Sequence, residues 1–225
     1  MSQYALNLAL PPVYAEDNFF VSGCNREAHR LVMAWPDWAY PALLLYGPKG
    51  SGKSHLAHIW AVRAAVQQRS GSRCQMSENF LISGIHHPTA GALLLEDIER
   101  ISDERALLHL LNAAGENGRS LLLTAAVSPS GLPFSLPDLT SRLKALPAIA
   151  IAEADDEALA AALHKQFGDR QMKIGDDIVA YIVPRMERSF SKVNELVELL
   201  DRAALAEGRT LTIPFVKRLL ELTSA

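Results

Sequence analysis

The segment from Gly47 to Ser54 has the residue types and spacing of a loop that binds nucleotide phosphates. It reads Gly-Pro-Lys-Gly-Ser-Gly-Lys-Ser and fits the pattern G-x4-G-K-[ST]. Glycines let the loop turn tightly, so that its backbone N–H groups point at phosphate oxygens beside the N-terminus of a following helix. Lys53 is placed to reach the β- and γ-phosphates, and the Ser54 hydroxyl to join Mg²⁺. The sequence therefore predicts a site for a nucleotide with its metal ion.

A second element of such a site is an acid at the end of another buried strand. Glu96 and Asp97 directly follow the apolar run Ala92–Leu95. A carboxylate there holds Mg²⁺ and positions an attacking water. The alternative is that the two acids simply lie in solvent at the end of a strand and have no catalytic role. Strand alternation sends the two side chains to opposite faces, so the sequence leaves open which acid serves the metal.

Short apolar runs predict the strands that position these residues. The runs are continuous rather than alternating, which is typical of strands buried on both faces of a parallel sheet. Helical spacing lies between them over 53–69 and 102–117, and His86-His87 before Pro88 is expected to be a loop. The pattern predicts an α/β core. The predicted strands are Ala42–Tyr46, Ala92–Leu95, Ser120–Thr124 and Ala148–Ile151.

After about Glu153 the strand-like runs stop and four helical stretches follow. They cover about 155–167, 174–185, 190–207 and 213–222, and Pro214 lies where a first helical turn tolerates proline. We therefore expect three parts: an N-terminal tail over 1–12, an α/β nucleotide-binding core over 13–153 and a small all-α lid over 154–225.

Composition narrows the class of protein. The 225 residues include 22 Lys+Arg and 25 Asp+Glu, a net charge of -3, which argues against a domain that grips duplex DNA through many phosphates. No apolar run approaches the length of a membrane span, and the N-terminal residues lack a basic signal-peptide region. We expect a cytoplasmic protein that makes no membrane contact and reaches DNA, if at all, through a partner.

Several segments together resemble a known family. The stretch Asp17–Ala28 and the loop continued by His55-Leu56 resemble the ATPase core of the bacterial initiator DnaA. The segments 136–143 and 211–217 are similar to Hda, the DnaA-related regulatory inactivator of the AAA+ ATPases. The resemblance implies a five-stranded parallel sheet, a helical lid and ADP or ATP with Mg²⁺ between them. The nucleotide-binding residues it implies are Phe20, Val21, Asn25, Gly47, Pro48, Lys49, Gly50, Ser51, Gly52, Lys53, Ser54, His55 and Lys192.

The first residues resemble a docking peptide. Gln3, Leu6 and Leu8 are spaced as in the QLxLxL peptide by which bacterial proteins bind the DNA polymerase III sliding clamp, its beta subunit. An extended peptide of this kind places one amide in a polar pocket and two leucines in an apolar groove. Tyr4 replaces the usual leucine, and a tail that packs on its own domain is the alternative.

Arg142 falls where the family supplies its arginine finger. A guanidinium brought to a nucleotide in a neighbouring subunit stabilises the charge that develops on the transferring phosphoryl group. The resemblance implies that this nucleotide is the ATP held by DnaA. The alternative is a surface arginine paired with Asp138.

Three departures from the family bear on the chain's own ATP hydrolysis. Ala126 stands where a polar sensor is usual, Ser191 stands at the lid sensor arginine, and Glu96 replaces an aspartate. Thr124 can replace the polar sensor only if its hydroxyl faces the γ-phosphate. Lys192 and Arg188 are the candidates to replace the lid sensor arginine. We expect nucleotide binding to survive these changes better than hydrolysis.

The expected function is regulation of replication initiation. The chain would bind the sliding clamp and promote hydrolysis of DnaA-bound ATP, which prevents re-initiation. A stand-alone AAA+ ATPase such as a helicase loader, and a clamp adaptor stabilised by nucleotide, are the alternatives. The sequence leaves open whether ADP or ATP is the working ligand and whether the chain is a monomer or a homodimer.

Overall fold

A five-stranded sheet forms the centre of the core. The computed structural model describes residues 16–68, 85–89, 91–116 and 118–223. Its strands are β1 (Ala42–Tyr46), β2 (Ile85–Thr89), β3 (Ala92–Leu95), β4 (Ser120–Ala125) and β5 (Ala148–Ala150), in the spatial order β2-β3-β4-β1-β5. All four strands predicted from apolar runs are present.

The sheet is mixed rather than wholly parallel. β1, β3, β4 and β5 pair in parallel, but β2 pairs antiparallel with β3. Only two residues separate β2 from β3, and such a short connection permits a hairpin but no parallel crossover. The prediction of an all-parallel sheet is therefore wrong at this edge, and so is the prediction of a loop at His86-His87, which lies inside β2.

Helices cover both faces of the sheet. The core helices are α1 (Arg26–Met33), α2 (Lys53–Gln68), α3 (Glu104–Glu116) and α4 (Pro137–Ala145). Because successive residues of a strand point to opposite faces, Leu43 and Leu45 pack with α1 and α2, whereas Leu44 packs with α3 and α4. This arrangement confirms the α/β core.

The four helices after the sheet have a hydrophobic core of their own. They are α5 (Asp156–Asp169), α6 (Asp176–Ile182), α7 (Phe190–Glu207) and α8 (Ile213–Thr223). Leu163, Phe167, Val197 and Leu200 are fully buried among them. This is the predicted helical lid, and each helix begins and ends within a few residues of its expected position.

The parallel strands bring the candidate residues to one edge. β1 runs into the Gly47 loop, β3 into Glu96 and Asp97, and β4 into Ala126. Ligands of open α/β sheets bind at the carboxyl edge of the strands. None of the described helices is long and apolar enough to cross a membrane.

Candidate nucleotide-binding site

The phosphate loop has backbone angles that require glycine. Gly47, Gly50 and Gly52 have φ values of 156°, 76° and 99°. At Gly47 a Cβ atom would also lie 2.1 Å from the carbonyl oxygen of Ile151. The glycines of the motif therefore shape the turn between β1 and α2.

The ammonium of Lys53 lies inside the loop. Lys53 is 7% exposed, and its Nζ donates to the carbonyl oxygens of Gly47 at 2.7 Å and Pro48 at 2.8 Å. Burial lowers the pKa of Lys53, and the charges of Asp97 and Glu99 oppose that shift. The lysine is held where phosphate oxygens would replace the two carbonyls.

The loop also contains a polar atom without a partner. Ser51 is fully buried, and its Oγ has no hydrogen-bond partner in the part of the chain that the structure describes. An unsatisfied buried hydroxyl is costly unless a ligand completes it. Ser54 is half-buried in the first turn of α2, next to the amino end of the helix. The residues present fit a bound phosphate chain.

The two acids after β3 have different surroundings. Glu96 Oε2 lies 3.1 Å from Nε2 of His58 on α2. Asp97 adopts the left-handed conformation, with φ of 49°, and its N–H donates to Thr124 Oγ1 at 3.0 Å. Burial lowers the pKa of Lys53, and of these two carboxylates Asp97 is the one whose charge opposes that lowering. Thr124 thus supports the Asp97 backbone.

Glu99 is a third acid at this edge, and the sequence reasoning missed it. It lies in the 3-10 turn Ile98–Arg100, and its Oε1 accepts from the Ala126 N–H at 3.1 Å. Its Oε2 is buried and has no hydrogen-bond partner among the described residues. The signal available in the sequence was a further acid two positions after Asp97, but only the turn after Asp97 brings it back towards β4.

The segment before α1 borders the phosphate loop. Phe20 and Val21 are each 37% exposed. Asn25 is buried, and its Nδ2 donates to the carbonyl oxygen of Phe20 at 2.9 Å, while its Oδ1 accepts from the Ser22 N–H at 3.0 Å. Asn25 therefore fixes the loop that presents Phe20 and Val21. His55 contacts this segment through its ring, edge-on to Phe19 at 5.3 Å.

The lid contacts the phosphate loop at the start of α7. The Phe190 N–H donates to the Gly50 carbonyl oxygen at 2.9 Å. The hydroxyls of Ser189 and Ser191 are 2.7 Å apart, and a Cβ at Gly50 would lie 1.9 Å from Ser189 Oγ. The lid therefore meets the loop with hydroxyl and backbone groups.

The two basic candidates in the lid have carboxylate partners. Lys192 Nζ lies 2.8 Å from Glu195 Oε2 on the same helix, and this hydrogen bond raises the pKa of Lys192. Arg188 Nη2 lies 2.8 Å from Asp156 Oδ1 at the start of α5. Both side chains are thus paired within the lid.

Asp155 joins the core to the lid. Its Oδ1 accepts from the Ala158 N–H at 2.8 Å and caps α5, while its Oδ2 accepts from the Cys24 N–H at 3.2 Å. Partial burial alone would raise the pKa of Asp155, but the hydrogen bonds from Ala158, Ser22 and Cys24 hold it below its ordinary value.

Arg142 is exposed on α4, away from the phosphate loop. Its Nη2 donates to Asn112 Oδ1 on α3 at 2.6 Å, so its partner is Asn112 and not Asp138. Helices α3 and α4 cover the face of the sheet opposite to α2. The guanidinium therefore lies across the sheet from the helix that carries Lys53.

The amino end of α4 is held by Glu104. Its carboxylate accepts from the N–H groups of Ser135 at 3.0 Å and Leu136 at 2.6 Å. Ser135 and Leu136 directly precede Pro137, the first residue of α4, so this carboxylate ties the entry to the helix to α3. Through Glu104 and Asn112, α3 fixes the helix that carries Arg142.

Gln3, Leu6 and Leu8 lie outside the described residues. Within the described residues, no group of three or more His, Cys, Asp or Glu is arranged to hold a metal ion by itself. A metal ion at this site would therefore depend on the phosphates for part of its ligand set.

Comparison with known proteins identifies a family that matches the lid and a relative that covers most of the chain. Residues 155–220 match the family described as Hda, lid domain. An uncharacterised protein of Haemophilus influenzae is 31% identical over 194 residues, which are 83% of this chain and 84% of that protein.

Solved structures show the same fold. Domain III of the replication initiation protein DnaA from Thermotoga maritima has a TM-score of 0.77 at 16% identity, covering 94% of this chain and 97% of that one. AMPPCP-bound DnaA from Aquifex aeolicus has a TM-score of 0.65 at 18% identity, covering 93% and 69%. The Thermotoga maritima Holliday junction motor RuvB has a TM-score of 0.60 at 16% identity, covering 92% and 69%.

Proposed function

Because the chain belongs to the Hda-type family of DnaA-related AAA+ proteins, we propose that it promotes hydrolysis of the ATP bound to DnaA and so limits re-initiation. The coarse function, a DnaA-related replication regulator, follows from the lid family and the fold. The specific activity rests on the geometry of two sites, the phosphate loop and Arg142.

The phosphate loop supports binding of an adenine nucleotide. The glycine-lined loop, the buried ammonium of Lys53 and the Ser51 hydroxyl, which has no hydrogen-bond partner among the described residues, together fit a phosphate chain. When Mg²⁺ is bound with the nucleotide, it neutralises part of the phosphate charge. Ser54 together with Glu96 or Asp97 would hold the ion. The AMPPCP bound by Aquifex aeolicus DnaA is consistent with this ligand class.

The observation that carries the proposal is the position of Arg142. Its exposed guanidinium lies across the sheet from α2, so it is available to a nucleotide held by a neighbouring molecule. An arginine supplied in this way stabilises charge on the transferring phosphoryl group and is worth about 10³–10⁵ in rate. In this proposal the neighbouring molecule is DnaA, and the side chain acts in trans.

The chain's own hydrolysis is secondary in this proposal. Ala126 offers no side-chain polar group, and Thr124 Oγ1 accepts from the Asp97 N–H, which ties this hydroxyl to the turn after β3. Lys192 and Arg188 are paired with carboxylates of the lid. The bound nucleotide then serves mainly to join core and lid, and the stimulated reaction is that of DnaA.

The tail gives the proposal its link to replicated DNA. Residues 3–8 would bind the beta subunit of the sliding clamp, and clamp-bound protein would have a high effective concentration near DnaA on the same DNA. The chain would thereby contact DNA indirectly, which suits its net charge of -3.

A reconstitution tests the proposal. Hydrolysis of DnaA-bound ATP is measured with DNA-loaded clamp, the full chain and nucleotide. We expect stimulation that requires the clamp and is lost in a Gln3→Ala/Leu6→Ala/Leu8→Ala variant, whereas Asn7→Ala in the same tail retains it. The absence of stimulation by the wild-type chain would contradict the proposal, and stimulation by the triple variant equal to wild type would contradict its clamp-binding part.

A further inference from the structure

Glu99 owes its position to an unusual turn of the backbone. Asp97 has a φ of 49°, a conformation that residues other than glycine adopt uncommonly. The chain then forms the 3-10 turn Ile98–Arg100, in which the Arg100 N–H donates to the Asp97 carbonyl oxygen at 2.9 Å. Ile98 is fully buried and anchors this turn. The turn returns the Glu99 carboxylate to the end of β4.

The two oxygens of this carboxylate are not equivalent. Oε1 accepts from the Ala126 N–H at 3.1 Å, which fixes the side chain at the carboxyl edge of β4. Oε2 is shielded from solvent and has no hydrogen-bond partner among the described residues. A buried carboxylate oxygen without a donor carries a large desolvation cost. Oε2 is therefore open to a group that donates hydrogen bonds or carries positive charge.

The surroundings indicate what that group is. Lys53 Nζ donates to the carbonyl oxygens of Gly47 and Pro48, and Oε2 has no hydrogen bond from it or from any other described residue. Burial lowers the pKa of Lys53, and the charges of Asp97 and Glu99 partly oppose that shift. Ala126, which anchors Oε1, has no polar side chain of its own. Glu99 thus lies near the phosphate loop, at a strand end where a polar side chain is missing.

We propose that Glu99 orients the water shell of the divalent cation that accompanies the nucleotide, with Oε1 anchored on the Ala126 backbone and Oε2 accepting from a cation-bound water. Glu99 is a positioning residue, because it acts on the cation through water. This inference rests on the proposed nucleotide site and adds a residue to it.

The test compares ADP binding with and without Mg²⁺. Isothermal titration gives the ADP dissociation constant of the full chain in EDTA and in Mg²⁺, and the ratio of the two is the magnesium gain. Glu99→Gln keeps an oxygen for the Ala126 N–H but removes the charge. Glu198→Gln, which removes an exposed carboxylate paired with Arg202 on α7, is the matched control. Thermal unfolding is recorded for each protein.

We expect Glu99→Gln to lower the magnesium gain about tenfold or more while its metal-free ADP affinity is retained. The control variant is expected to keep the wild-type ratio. An unchanged ratio in Glu99→Gln overturns the inference, as does an equal loss of affinity with and without Mg²⁺, which would mark a structural role. If the wild-type chain binds no ADP under either condition, the nucleotide site of the proposed function fails as well.

Discussion

The backbone N–H of Phe190 donates a 2.9 Å hydrogen bond to the carbonyl oxygen of Gly50, so the first turn of the long lid helix rests directly on the phosphate loop. Ser189 and Ser191 flank this contact with a pair of hydroxyls 2.7 Å apart. The lid and the loop are therefore in contact at Gly50, and we expect this contact to affect both stability and ADP binding.

Replacement of Gly50 by alanine is expected to disturb this contact. The new Cβ would lie 1.9 Å from Ser189 Oγ, and the φ of 76° is unfavourable for alanine. We expect a loss of stability of about 1–3 kcal/mol from overpacking beyond the backbone penalty, together with weaker ADP binding. Denaturant unfolding and ADP titration measure both effects.

Gly208→Ala is the matched control for this change. Gly208 has a φ of 61°, and no atom of the described residues lies within 4 Å of a Cβ added there, so its replacement is expected to cost only the left-handed backbone penalty. Equal losses of stability in the two variants would show that the lid does not pack on Gly50. In Gly50→Ala/Ser189→Gly we expect part of the difference to be recovered.

Glu104 is expected to make the stability of the chain depend on pH. Hydrogen bonds from the backbone of Ser135 and Leu136 lower the pKa of Glu104. A carboxyl whose pKa is lower in the folded chain stabilises it above the unfolded value of about 4.3, and this contribution is lost as the pH falls through the folded pKa. Glu104→Gln should therefore lower the melting temperature at neutral pH and reduce its decline between neutral and acidic pH.

The same variant tests whether α4 must be held for Arg142 to act. We expect Glu104→Gln to weaken stimulation of DnaA while its ADP affinity stays at the wild-type value, because the helix lies across the sheet from α2. A melting curve that follows wild type at every pH would show that the Glu104 carboxylate does not secure the helix.

Asp155→Ala is expected to loosen the junction between core and lid. The change removes the cap of α5 and the acceptor for the Cys24 N–H, and loss of such a cap costs about 0.5–2 kcal/mol. Asp156→Ala at the next position removes only an exposed ion pair with Arg188, worth at most about 1 kcal/mol. Denaturant unfolding measures both variants, and a greater loss in Asp156→Ala would reverse the roles assigned here.

Local patterns were sufficient to predict the elements that build the site. Continuous apolar runs located four strands. In β1, β3 and β4 the run reflects burial on both faces, whereas the edge strand β5 is apolar but largely exposed. The phosphate loop was equally visible, since its glycines and Lys53 are consecutive in the chain. The edge strand β2 escaped prediction because its residues, which include Pro88, carry no such apolar run, and its direction follows from the short connection to β3.

Contacts between distant segments were beyond prediction. The bond from the Ala126 N–H to Glu99 depends on the left-handed turn at Asp97, and the bond from Arg142 to Asn112 joins residues 30 positions apart. Neither leaves a periodic or compositional signal. The hydrogen bond from the Phe190 N–H to the Gly50 carbonyl oxygen likewise forms only when the lid packs against the core.

The central claim is that Arg142 acts on ATP held by DnaA, and one rate measurement tests it most directly. Hydrolysis of DnaA-bound ATP is followed with DNA-loaded clamp and either Arg142→Ala or Lys144→Ala, which removes another exposed cation from the same helix. We predict that Arg142→Ala loses the stimulation, by about 10³-fold if the finger has its usual worth, whereas Lys144→Ala retains it. Stimulation by Arg142→Ala at the wild-type rate would contradict the claim.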